Sequence, residues 1–126
     1  MSYKSFIYEV AGGIATIRLN DPERLNALTF QTYAELERVF AAMASDGTDA
    51  VVVLTGSGKG FCSGGSVHEI IGKLIAMKPD EQQRFTRLTC DVVKNMRALK
   101  KPIVAAVNGI AAGAGAVLAL ASDMRI

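Results

Sequence analysis

Apolar residues at the start of the chain repeat with period two. Phe6 to Val10 and Ile14 to Asn20 read as the arms of a hairpin around Ala11-Gly12-Gly13. In the second arm Ala15, Ile17 and Leu19 share one face, and Ile14, Thr16, Arg18 and Asn20 share the other. After a polar loop, Asn20 to Asn26, the period changes. Tyr33, Leu36, Phe40 and Met43 recur at helical spacing, with Thr29 as a cap and the helix reaching about Ser45. Ala50 to Leu54 is a continuous apolar run and reads as a fully buried strand. Gly60-Phe-Cys-Ser-Gly-Gly-Ser66 follows as a turn, then a helix from Ser66 to about Ala76. Ser66 with Glu69, and later Asp80 with Gln83, fit the capping box. Phe85, Leu88, Val92, Met96 and Leu99 mark one face of a longer helix, whose negative end suits Lys100 and Lys101 and which Pro102 stops. Ile103 to Val107 is a second buried-strand candidate. Asn108 to Gly115 is a second Gly/Ala-rich turn, Ala116 to Ala121 a helix, and Met124 to Ile126 the beginning of a strand. Strand, glycine turn and helix therefore occur twice.

Each turn lies between a strand and a helix N-terminus. Such a place gathers unpaired backbone N–H groups and the positive end of a helix dipole, and it stabilises a partial negative charge such as a polarised carbonyl oxygen. A plain Gly-rich connection is the competing reading.

At 126 residues the chain suits one domain, and its half-apolar composition is that of a globular protein. A net charge of +2 is too weak to argue for nucleic acid. Cys62 and Cys90 make no metal pattern and read as reduced, partly buried thiols; His68 stands alone, so no metal site is expected. Met1 to Phe6 lacks the apolar core of a signal peptide, which favours a cytoplasmic protein. Gly56-Ser-Gly-Lys-Gly60 fails as a phosphate loop, because Gly60 replaces the hydroxyl residue after Lys59. Gly113-Ala-Gly115 fails as a dinucleotide fingerprint, with Leu118 at the third glycine position. Residues 103–121 are long enough to span a membrane, but they are mostly Ala and Gly and contain Asn108.

Four stretches together resemble the crotonase family, the enoyl-CoA hydratases and isomerases. Asn20-Asp-Pro with Leu25-Asn-Ala-Leu28 is similar to the family's early loop, which borders coenzyme A; Gly60 to Gly65 is similar to its first oxyanion loop. Lys101 to Gly109 resembles the strand beneath the second loop, and Ala112 to Ala116 with Leu118-Ala and Ser122-Asp123 resembles that loop and its helix. The resemblance implies an α/β fold, a crotonase-like spiral of β-β-α units, with residues 1–126 forming one domain truncated after about half of the usual length. It implies an acyl-CoA thioester as substrate, no permanently bound cofactor, and a homo-oligomer, trimer or hexamer. It assigns the two oxyanion donors to the backbone N–H groups of Gly65 and Ala114. It assigns substrate binding to Arg24, Asn26, Ala27, Ser63, Gly64 and Gly113. Two positions depart from the family pattern: Ser66 replaces a common Asp, and Val117 stands where hydratases carry the first of two catalytic glutamates. A valine transfers no proton. The alternative is a non-catalytic acyl-CoA-binding or structural fragment.

Overall fold

The computed structural model describes residues 2–126. Strands β1 (Phe6–Ala11) and β2 (Ile14–Leu19) form the expected hairpin. β3 (Val51–Gly56), β4 (Ile103–Ala105) and β5 (Met124–Arg125) follow in spatial order, each parallel to its predecessor, so the sheet runs β1 to β5 with one antiparallel pair. Helices α1 (Phe30–Met43), α3 (Pro79–Ala98) and α4 (Ala114–Ala121) supply the crossovers, with the short α2 (Gly72–Ala76) preceding α3.

The core joins one face of the sheet to α1, α3 and α4. Ala15, Ile17, Leu19, Val52, Leu54, Ile103 and Ala105 meet Leu36, Val39, Phe40, Met43, Val92 and Met96, and every one of these side chains is at most 2% exposed. The other face is half open. Thr16, Val53 and Val104 stand in register across β2, β3 and β4 and are each partly exposed; Met124, next in the row, is 53% exposed. The apolar runs at 50–54 and 103–107 are thus buried on one face only, because burial alternates along a pleated strand whatever the polarity of the outward residues. β3 runs two residues further than its apolar run, to Gly56, and β4 ends two residues earlier, at Ala105.

Thr29 caps α1 as expected, and Thr32 supplies the reciprocal bond. The other caps differ. Ser66 Oγ accepts the N–H of Glu69 at 3.3 Å, but Ser66 N–H donates to the Leu28 carbonyl and the Glu69 carboxylate turns to Arg24, so only half of a capping box forms. The segment after Ser66 opens with a π turn, Val67–Ile71, before α2. α3 starts at Pro79, whose missing N–H costs nothing in the first turn. Glu81 rather than Gln83 reaches back, accepting the Lys78 N–H, and Asp80 pairs with Arg84. Lys101 leaves the end of α3 and donates to the Asp46 carbonyl and, at 2.9 Å, to the fully buried Asp49 carboxylate. Cys62 is buried and Cys90 exposed. The apolar stretch 103–121 divides into strand, turn and an eight-residue helix; among the described residues no helix is long and apolar enough to cross a membrane.

Candidate functional site

Because β3 and β4 are parallel neighbours, the two glycine turns leave the same edge of the sheet side by side. Main-chain bonds lace them together. Phe61 and Cys62 N–H both donate to the Ile110 carbonyl, at 3.0 and 2.9 Å, and Ala112 N–H donates to the Cys62 carbonyl at 3.0 Å. The early loop closes the other side. Ser63 N–H donates to Leu25, Leu28 N–H to Gly64, and Ser66 N–H to Leu28, at 2.8–2.9 Å. Residues 61–66 are therefore a short extended segment between residues 25–28 and residues 110–112.

This lacing decides where Gly65 points. Gly64 and Ser66 spend their facing groups on Leu28, so the N–H of Gly65 is directed away from Leu28. Gly64, at φ +110°, lies against the second turn: a β-carbon there would sit 3.1 Å from the Ala112 carbonyl oxygen and 3.7 Å from Ala114 N. Gly113, at φ +52°, abuts Gly64 in return, its β-carbon position 3.7 Å from Gly64 Cα. Both conformations suit glycine. A β-carbon on Gly115 would collide with the Cys62 carbonyl and crowd the Cys62 β-carbon, so only glycine fits this contact. Ala114 opens α4, which leaves its N–H without an intrahelical partner. Among the described residues, neither the Gly65 N–H nor the Ala114 N–H donates a hydrogen bond.

The expected binding residues take different places. Gly64, Gly65, Gly113 and Ala114 are together at the junction of the turns. Ser63 Oγ donates to the Arg24 carbonyl at 3.1 Å. The Arg24 guanidinium lies 3.4 Å from the Glu69 carboxylate, an exposed pair. Ala27 borders a small polar hollow of about 170 Å³ with Lys4, Asn20 and Thr32. Asn26 is 1% exposed and its side chain is wholly engaged within the protein: Oδ1 accepts from Asp21 N–H at 2.9 Å, and Nδ2 donates to the carbonyls of Ser57 and Gly60 at 3.0 and 2.8 Å.

Asn108 is a residue whose role the sequence did not disclose. Its Nδ2 donates to the carbonyls of Gly58 and Gly60, at 3.0 and 3.1 Å, and its Oδ1 accepts from Gly56 N–H at 3.1 Å. Asn26 and Asn108 thus grip one carbonyl, that of Gly60, from two directions. The sequence hint is Asn108's place as the lone polar residue of the apolar run 103–121.

An apolar cleft of about 560 Å³ opens beside Ala114, walled by Leu28 and Tyr33, by Thr89, Cys90 and Val93 of α3, and by Val117 and Leu118 of α4. No carboxylate lines it. Tyr33, expected only as a core residue, is 9% exposed, and burial pushes its phenol above the ordinary value, so it stays protonated. Burial likewise raises the Cys62 thiol, which suits an inert packing residue.

Residues 9–126 match the family model for enoyl-CoA hydratase/isomerase. The chain is 38% identical over 117 residues to the 1,2-epoxyphenylacetyl-CoA isomerase of Escherichia coli K12, covering 93% of this chain and 45% of that protein. It is 35% identical over 127 residues to the short-chain-enoyl-CoA hydratase of Clostridium acetobutylicum, covering all of this chain and 47% of that one. A solved structure of an enoyl-CoA hydratase family protein from Streptomyces coelicolor A3(2) superposes with a TM-score of 0.96 at 44% identity, over 99% of this chain and 46% of its own. The chain spans about half the length of the relatives it matches.

Proposed function

The chain belongs to the enoyl-CoA hydratase/isomerase family, and on that premise we propose that it binds an acyl-CoA thioester whose carbonyl oxygen accepts from the N–H groups of Gly65 and Ala114. The observation that carries this reading is the pair of unused donors at two abutting turns, one of them at the N-terminus of α4. Two aimed donors polarise a thioester and stabilise the enolate that forms when a neighbouring carbon loses a proton; each is worth on the order of 3 kcal/mol in the transition state. Coenzyme A enters as part of the substrate, and no resident cofactor takes part. The acyl chain occupies the apolar cleft beside Ala114. The half-open sheet face supports assembly into a homo-oligomer, for which the family resemblance implies a trimer or pair of trimers.

A second reading, binding without turnover, is favoured by one observation: Val117 and the rest of the cleft wall offer no carboxylate to move a proton. Titration calorimetry with butyryl-CoA and with free coenzyme A tests the proposal. The thioester should bind more tightly, and Ala114→Pro should reduce that margin, since proline at the first helical position deletes the donor and is tolerated there. Equal affinity for the two ligands would refute the thioester contact. Release of an isomerised or hydrated product from an enoyl-CoA separates the enzyme from the binder.

A further inference from the structure

The cleft wall carries one hydroxyl that nothing in the protein uses. Tyr33 is nine-tenths buried, its ring is fixed edge-on against Phe85 at 5.5 Å and 86°, and among the described residues no hydrogen bond reaches its hydroxyl. That oxygen is not sealed in the core, because Asp49 Oδ2 is the only fully enclosed side-chain polar atom without a partner among the described residues. Tyr33 lines the cleft, and its hydroxyl lies 3.9 Å from where a β-carbon on Gly65 would be. The other hydroxyl of the wall, Thr89, is already donated to the Thr86 carbonyl at 2.8 Å. A phenol left unpaired in an apolar cleft discriminates: it favours a ligand that brings an acceptor and disfavours plain hydrocarbon.

We infer that the Tyr33 hydroxyl donates to an acceptor oxygen carried by the acyl group itself, so that the cleft selects an oxo-acyl thioester over an unsubstituted one of equal length. This rests on the acyl-CoA reading above. The hydroxyl sits beside Gly65, so the acceptor must lie within a few bonds of the thioester carbonyl. Tyr33 is here a specificity-determining residue and moves no proton in the net step.

Acetoacetyl-CoA and butyryl-CoA share a four-carbon acyl chain and differ in that oxygen. Their dissociation constants, measured for the full chain and for Tyr33→Phe, test the inference. The wild-type chain should prefer acetoacetyl-CoA by about tenfold, the worth of one hydrogen bond in a desolvated site. Tyr33→Phe should abolish the preference and leave butyryl-CoA binding and the urea midpoint of the free protein unchanged or slightly improved. A merely structural hydroxyl would instead lower the midpoint and weaken both ligands alike, which would overturn the inference. So would a preference that survives in Tyr33→Phe, or two ligands bound equally by wild type. If wild type binds neither thioester better than free coenzyme A, the acyl-CoA reading itself falls and this inference falls with it.

Discussion

Replacing Asn26 should disable the first turn more than any exposed substitution near it. Three hydrogen bonds of 2.8–3.0 Å meet at a side chain that is 1% exposed, and cutting it back removes all three at once. At about 1 kcal/mol each, Asn26→Ala should lose about 3 kcal/mol. Asn26 also holds φ +57°, next to Leu25 at +51°, a left-handed pair that asparagine tolerates better than alanine. That adds about 1 kcal/mol. Asn26→Gly should recover the backbone part alone, so the two variants separate conformation from bonding. Asn26→Asp keeps the shape and the acceptor toward Asp21 N–H but turns an oxygen toward the Ser57 and Gly60 carbonyls. Its carboxyl should be pushed up in the folded protein, so its stability should be greatest at low pH and fall as pH rises from about 4, the unfolded value, through the folded one. Urea unfolding followed by circular dichroism gives the losses, with exposed Asn20→Ala as control. Asn108→Ala supplies a further check, because Asn26 and Asn108 share the Gly60 carbonyl. The double variant should cost more than the sum of the singles, since only then is that carbonyl left with neither partner. An Asn26→Ala loss below about 0.5 kcal/mol, or strict additivity with Asn108→Ala, would refute the shared grip.

Ser66→Ala should cost about 1 kcal/mol and Ser66→Asp should be close to neutral, read from denaturation midpoints; an unchanged Ser66→Ala would remove the cap. Val117→Glu places a carboxylate on the cleft wall and should raise hydration of a short enoyl-CoA; wild-type turnover already in the usual range of about 1–1000 per second would show that another group does this work. Burial opposes ionisation of Glu35, but the N–H groups of Ser5 and Lys4 and the Gln31 amide outweigh it and hold the carboxyl below its ordinary 4.5. Its contribution is present above the unfolded value and is lost as pH falls through the folded one, so Glu35→Gln should flatten the acid limb of the stability curve. Light scattering should find this chain associated rather than monomeric, as the half-open sheet face predicts; a monodisperse monomer would contradict it.

Local patterns made most of the fold legible. Alternation fixed the hairpin, the stripe of Tyr33, Leu36, Phe40 and Met43 fixed the inner face of α1, and the two glycine clusters marked the turns. What stayed hidden depends on partners far along the chain. Lys101 reads locally as a helix-end charge, yet its carboxylate partner is 52 residues away. Glu69 reads as a cap, yet it faces Arg24, 45 residues earlier. The grip on Gly60 joins side chains 34 and 48 residues from it. Continuous apolar runs also conceal which side of a strand is open, because sequence shows polarity and not coverage. Tyr33 lies in the core as its helical spacing predicts, but no periodicity tells whether a phenol at the edge of a core finds a partner.

Gly115 packs its bare backbone against the Cys62 carbonyl and β-carbon, while the cleft beside Ala114 is walled largely by side chains of α3 and α4. The two parts can therefore diverge separately. Any residue larger than glycine at 115 would wedge the turns apart and misdirect both donors together. None of Thr89, Cys90, Val93 and Val117 is among the nearest atoms to the β-carbon positions of Gly64, Gly113 or Gly115, so they form a wall distinct from that junction. A scaffold so divided keeps its grip on the common group of its ligands while the rest of the ligand drifts, and one chemistry can be inherited by lineages with different diets.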